Sequence, residues 1–115
     1  MKGVRFNTGK LKWSLVHWKS LEPMVLVLMF GANKYAPFNW AKGLKVTEII
    51  ESLLRHTFAL LEGEDDDKES KLPHVGHILC NAMFLSYMLM FRKDMDDRFK
   101  QETKDEDPNQ LKLKL

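Results

Sequence analysis

The stretch from His74 to Phe91 limits the possible folds of this chain more than any other. The 14 residues from Ile78 to Phe91 are nearly unbroken in apolar character, interrupted by Asn81 and Ser86. A helix that is apolar on almost every side is an interior helix, and this run falls short of the roughly 20 residues needed to span a bilayer. Pro73 suits the first position of such a helix. His74, His77 and Asn81 fall at i, i+3 and i+7, hence on one stripe of it. Buried polar groups without partners cost on the order of 1 to 3 kcal/mol each. Something polar must therefore face His77 and Asn81.

The preceding segment can supply it. From Val46 to about Gly63, with Thr47 as the expected N-cap, Ile49, Ile50, Leu53, Leu54, Phe58, Leu60 and Leu61 recur at helical spacing. Glu48, Glu51, Arg55 and Glu62 form a stripe on the opposite side, and His56 sits at the border. Gly63 ends this helix, and Glu64 to Glu69 is an acidic loop. An antiparallel hairpin of the two helices brings His74 and His77 near Glu62, Ala59 and Arg55, and Asn81 near Arg55 and Glu51.

Upstream, Glu22 and Pro23 suit a first turn, Met24 to Phe30 is continuously apolar, and Gly31 is placed to terminate the element. Helix and strand both remain open for so short a run. A loop from about 32 to 44 carries Tyr35, Pro37, Phe38, Asn39 and Trp40. Trp13, Trp18 and the methionines of the third helix are expected in the core, and His17 is expected to be incidental. Arg92 to about Glu106 reads as a solvated helix stopped by Pro108, followed by a tail of alternating Leu and Lys. The expected organisation is one all-α domain over residues 1–107 and a tail over 108–115, with room for one active site in 115 residues.

Charge and cysteine content narrow the chemistry. Cys80 is the lone cysteine, which excludes an internal disulfide and a cysteine-rich zinc module and suits a reducing, cytoplasmic setting. The first 20 residues hold five cations and no acid, whereas Glu62, Glu64, Asp65, Asp66, Asp67 and Glu69 crowd the hairpin loop. That separation suits an anionic ligand held through a divalent cation. No base-reading module accompanies the cations, so direct nucleic-acid binding is not expected, nor is a membrane partner.

Glu48 and Glu51 form an ExxE pair one turn apart, and Glu64, Asp67 and Glu69 could complete an oxygen-rich shell. Hard carboxylate ligands of this kind suit Mg²⁺ or Mn²⁺ entering with substrate phosphates. His56, His74 or His77 could take a proton from an attacking water. Lys10, Lys34 and Lys42 could hold outer phosphates, and Tyr35 or Trp40 could stack on a base.

Taken in order, Asn7-Thr8-Gly9-Lys10, Phe30 to Tyr35, Asn39-Trp40, Gly43, Arg55-His56, Gly63-Glu64 through Asp67, Glu69-Ser70, Leu72-Pro73-His74, His77 and Asn81 carry a resemblance. The sequence resembles the phage dATP/dGTP diphosphohydrolase N-terminal domain family, over roughly residues 7 to 90. That family is similar to the all-α MazG-like nucleotide pyrophosphohydrolases, which are oligomeric helical bundles dependent on magnesium or manganese. The resemblance implies cleavage of dGTP or dATP between the α and β phosphates to the monophosphate and pyrophosphate, in the host cytoplasm of a phage. It also marks Asn39, Arg55 and Asn81 as substrate-binding candidates and implies a homo-oligomer. MazG-like enzymes carry a second carboxylate pair, ExxD, on the next helix, where this chain has His74-Val75-Gly76-His77. Lys71 stands where the family often has glycine. On this reading Glu51→Gln abolishes pyrophosphate release. A phosphohydrolase of the HD type is disfavoured, because no histidine is followed by aspartate. The competing class is a non-catalytic phage protein that binds a nucleotide or a host protein.

Overall fold

A computed structural model describes residues 1–100, and among them regular structure is entirely helical. Helix α1 spans Glu22–Lys34, α2 spans Val46–Leu61 and α3 spans His74–Phe91, with short 3-10 turns at Trp13–Leu15, Trp18–Leu21, Asn39–Lys42 and Lys93–Met95. The segment left open between helix and strand is thus helical. Pro23 sits in its first turn, but Gly31 does not end it: the ladder continues until Tyr35 N–H donates to Gly31 O at 2.9 Å. One glycine weakens a helix by about 1 kcal/mol relative to alanine, too little to stop one that Ala32, Asn33 and Lys34 extend.

Both ends of α2 are fixed by specific hydrogen bonds. Thr47 is not its N-cap. Lys45 occupies that position without a side-chain bond, and the capping carboxylate comes from Asp97, which accepts from Thr47 N–H at 3.0 Å and from its hydroxyl at 2.6 Å. At the other end Gly63 takes φ +96°, Glu64 N–H donates to Ala59 O and Gly63 N–H donates to Leu60 O. Those two bonds make the Schellman stop expected of a glycine there.

Helix α3 is the middle of the layer. Helices α1 and α2 each pack on it rather than on each other. It is long and apolar enough to cross a membrane by length and composition, and α1 and α2 pack on two of its sides. Toward α1, a Cβ at Gly76 would lie 2.4 Å from Pro23 O and 3.0 Å from Val27 Cγ2, and Cys80 Sγ contacts Met24 O at 3.2 Å. Burial pushes the Cys80 thiol up to about 11. Toward α2, buried Val46, Ile49 and Met88 form the core with Trp40, Phe84 and Tyr87 around them. The third side is open, and Val75, Ala82, Ser86, Leu89 and Met90 are exposed along it.

Three sequence expectations change here. Trp13 and Trp18 are 63% and 60% exposed, because the N-terminal arm lies off the helices and buries none of its first 20 residues. His17 has a local task, accepting from Ser20 N–H to cap the turn at Trp18–Leu21. The charged segment after Phe91 is not a continuing helix up to Lys100: Arg92 turns the chain back by donating to Lys42 O at 2.9 Å, which delivers Asp97 to the start of α2. Residues 101–115, with Pro108 and the Leu/Lys tail, lie outside the described residues.

Candidate functional site

Because α1 and α2 do not close on each other, a groove of about 940 Å³ remains over the inner stripe of α3. Its floor is His77, Asn81 and Phe84 from α3, one wall is Ser52 and His56 from α2, and the other is α1. Phe38, Asn39 and Trp40 border the part over Phe84, Asp67, Glu69 and Ser70 border the part over His77, and Tyr35 sits beside Lys34, whose Nζ is 5.3 Å from the Tyr35 ring and 2.9 Å from Glu69. The volume is in the range of small-molecule sites.

The acidic loop is folded back over the start of α3 by its backbone. Asp67 N–H donates to Leu72 O and His74 N–H to Asp65 O, both at 2.8 Å, and Asp66 pairs with Pro73 in a single bridge. This closure needs Lys71 at φ +64°, the left-handed region that favours glycine. A glycine at this position would take the same conformation without a Cβ penalty.

At the closed end three imidazoles meet. His56 Nδ1 lies 2.8 Å from His74 Nδ1, and the rings of His56 and His77 stack at 4.3 Å with 4° between planes. His77 Nε2 is 2.7 Å from Ser70 Oγ and 3.9 Å from Asp67 Oδ2. Burial lowers the affinity of His56 for a proton, and the neighbouring imidazoles lower it further. Burial also dominates at His77, outweighing the attraction of Asp67. Burial alone would raise the Asp67 carboxyl, but the Ser70 N–H at 2.8 Å, the Ser70 hydroxyl and the imidazoles hold it below the usual carboxylate range. His74 is 4% exposed, and its Nε2 makes no hydrogen bond although Glu64 Oε2 is 3.3 Å away.

The expected residues divide into those that converge and those that do not. His56, His74, His77, Glu64, Asp67, Asn81 and Glu69 gather at the closed end of the groove or border it. Lys34 reaches them from α1 through a 2.9 Å pair with Glu69, which raises its affinity for a proton chiefly by hydrogen bonding. Tyr35 is exposed at the rim, whereas Trp40 is committed to packing, stacked on Phe84 at 5.1 Å and edge-on to Tyr87 at 4.9 Å. Glu48 borders a small side hollow with Ser52 and Asn81. Glu51 is exposed beside Arg55, 4.0 Å away, and Glu62 is exposed as well. Lys10 is on the exposed arm, and Lys42 is exposed at the turn that receives Arg92.

Asn81 therefore meets Ser52, at 3.2 Å, and its own helix's His77 O at 3.0 Å, rather than Arg55 and Glu51. Among the described residues, three potential metal donors come within 4.8 Å of one another at one place, His56, Asp67 and His74. Of the five acids expected to form a shell, only Asp67 belongs to it. Ser52 and Ser70 escaped the sequence reading. Ser52 lies one turn before His56, and Ser70 follows Glu69 in the Glu-Ser pair.

Comparison with known proteins places this arrangement. The family model described as dATP/dGTP diphosphohydrolase, N-terminal, matches residues 1–98. A protein of Salmonella phage PMBT28 named dATP/dGTP diphosphohydrolase is 35% identical over 98 residues, covering 85% of this chain and 33% of that protein. The chain thus spans about a third of the length of the curated relative it matches. No solved structure matches it significantly. Since the matched span takes in every residue of the groove and of the imidazole cluster, the chain belongs to the dATP/dGTP diphosphohydrolase N-terminal family.

Proposed function

We propose that this chain provides a nucleotide-hydrolysing site that cleaves a purine deoxynucleoside triphosphate, dGTP or dATP, between its α and β phosphates. The products are the monophosphate and pyrophosphate. The observation that carries the reading is that one groove is lined both by exposed aromatic side chains, Tyr35 and Phe38, and by a polar cluster of Lys34, Asp67, His56 and His77. A base and a triphosphate need those two environments within reach of one another.

Lys34 is the cation for the outer phosphates, released from Glu69 when a phosphate oxygen takes the same ammonium. His77 is the proton acceptor. Its lowered proton affinity keeps the ring neutral near pH 7, and Asp67 beside Nε2 favours the tautomer with the proton there, donated toward Ser70 Oγ. That leaves Nδ1 to accept the proton of an attacking water. Asn81, bonded to Ser52 and to His77 O, fixes the helix turn that carries His77.

Magnesium or manganese is the cation proposed to enter with the substrate, Glu69 being the carboxylate at the groove left for it and Glu48 and Glu51 more remote candidates; when bound it would polarise the phosphoryl oxygen and lower the pKa of water. A homo-oligomer is part of the proposal. Phe6, Leu11, Trp13 and Trp18 on the arm, and Leu89 and Met90 on the open side of α3, leave more apolar surface exposed than a lone domain of this size carries comfortably.

Incubation of the purified chain with dGTP or dATP and Mg²⁺, followed by product separation, tests the reading. Monophosphate with pyrophosphate is the expected result. Deoxynucleoside with triphosphate would move the chain to another hydrolase class, and intact nucleotide would leave the binding-protein alternative.

A further inference from the structure

The imidazole cluster has the wrong donors for magnesium and the right ones for a softer ion. Magnesium is held through oxygen, whereas imidazole suits zinc, iron, nickel and copper. We propose that His56, His74 and Asp67 form a mononuclear centre of two histidines and one carboxylate for a transition-metal ion of the zinc class, distinct from the cation that accompanies the phosphates. This deepens the hydrolase reading of the same groove and rests on it for the ion's purpose, although uptake of the ion is measurable without any nucleotide.

Two independent observations carry it. The first is convergence: three donor atoms from α2, the acidic loop and α3 lie within 4.8 Å of one another. Three protein ligands leave a position open for water, as in catalytic rather than structural zinc sites. The 2.8 Å between the two Nδ1 atoms is a hydrogen-bond distance, with a shared proton standing where an ion would. An ion with bonds of about 2.0 to 2.1 Å to each nitrogen asks for a small outward rotation of His56, the less buried of the two rings.

The second is the stranded atom. His74 Nε2 is buried without a hydrogen bond, 3.3 Å from the Glu64 carboxylate. A histidine that ligates through one nitrogen carries its proton on the other and commonly donates it to a carboxylate, which fixes the ring and raises its basicity as a ligand. With Nδ1 turned to an ion, His74 Nε2–H has Glu64 as its acceptor. Asp67 is steadied in turn by the Ser70 N–H.

The test uses the full chain stripped of metal by a chelator, then titrated with Co²⁺ or Zn²⁺ alone while the visible absorption of cobalt and the bound-metal ratio are followed. One equivalent is expected, undisplaced by excess Mg²⁺, with weakening of roughly 10- to 100-fold in Glu64→Gln, a larger loss in His56→Gln, and none in Glu62→Gln. His56 and Glu64 are chosen because both are partly exposed, so their replacement spares the fold better than replacement of His74. No uptake, or uptake that His56→Gln does not weaken, overturns the proposal. Turnover of dGTP with Mg²⁺ in a chain that takes up no cobalt overturns the centre and leaves the hydrolase. Cobalt uptake through His56 without turnover of either nucleotide upholds the centre and removes the hydrolase.

Discussion

The Nδ1 atoms of His56 and His74 face each other at 2.8 Å, so one ring donates and the other accepts. The rings of His56 and His77 stack beside them. Burial makes His56 and His77 bind a proton less readily than the ordinary value of 6.5. The unfolded chain therefore takes up protons first on acidification, and stability rises with pH between the lowered folded values and 6.5. The contribution is complete above 6.5 and is lost as pH falls from there through the folded values. Denaturant midpoints measured from about pH 7 to about pH 5 are expected to fall, and His56→Gln with His77→Gln to flatten the slope. A midpoint that does not move, or rises, would refute the neutral pairing.

Gly76 is the point where α3 meets the backbone of α1. A methyl group there meets Pro23 O at 2.4 Å, and a backbone carbonyl cannot turn aside as a long side chain can. Gly76→Ala is expected to cost about 1 to 3 kcal/mol through overpacking, read from urea unfolding. An unchanged midpoint would mean that α1 packs elsewhere.

Lys71 holds a left-handed conformation to close the acidic loop. A residue with a Cβ gives up about 1 kcal/mol there, and glycine's greater freedom in the unfolded chain offsets part of the gain. Lys71→Gly is expected to raise the thermal midpoint slightly while the helical circular dichroism stays constant. A lower midpoint would contradict the assigned backbone geometry.

Asp97 caps α2 from outside the helix, and its hydrogen bonds with Thr47 hold its carboxyl below the usual range. Asp97→Ala is expected to lower the melting temperature at neutral pH. The difference from the parent should vanish as pH falls through the lowered carboxyl value, because protonation removes the same bond. A gap that persists in strong acid would point to packing rather than capping.

The His74, His77 and Asn81 stripe showed in the sequence because polar side chains on an otherwise apolar helix demand partners, and the hairpin that supplies them followed from Gly63 and Pro73. The rotation of α2 was not legible. Helical periodicity defines a face about a turn wide, so Glu51 and Ser52, adjacent in sequence, competed for the same neighbour until packing put Ser52 against Asn81. Trp13 and Trp18 read as core because their size suits one, but a layer with α3 in the middle leaves them no slot. The cap from Asp97 was beyond local reading, since nothing near Thr47 announces a partner 50 residues away.

The central claim is that the working face of α2 is the one turned into the groove, with Asp67 folded over it, and that its outer edge at Glu51 is subordinate. Turnover numbers of Asp67→Asn and Glu51→Gln, measured side by side on dGTP at saturating Mg²⁺, address this directly. Asp67→Asn is expected to lose at least roughly tenfold more than Glu51→Gln, about 1.4 kcal/mol in barrier. Equal losses, or a larger loss in Glu51→Gln, would put the chemistry on the outer edge and contradict the account.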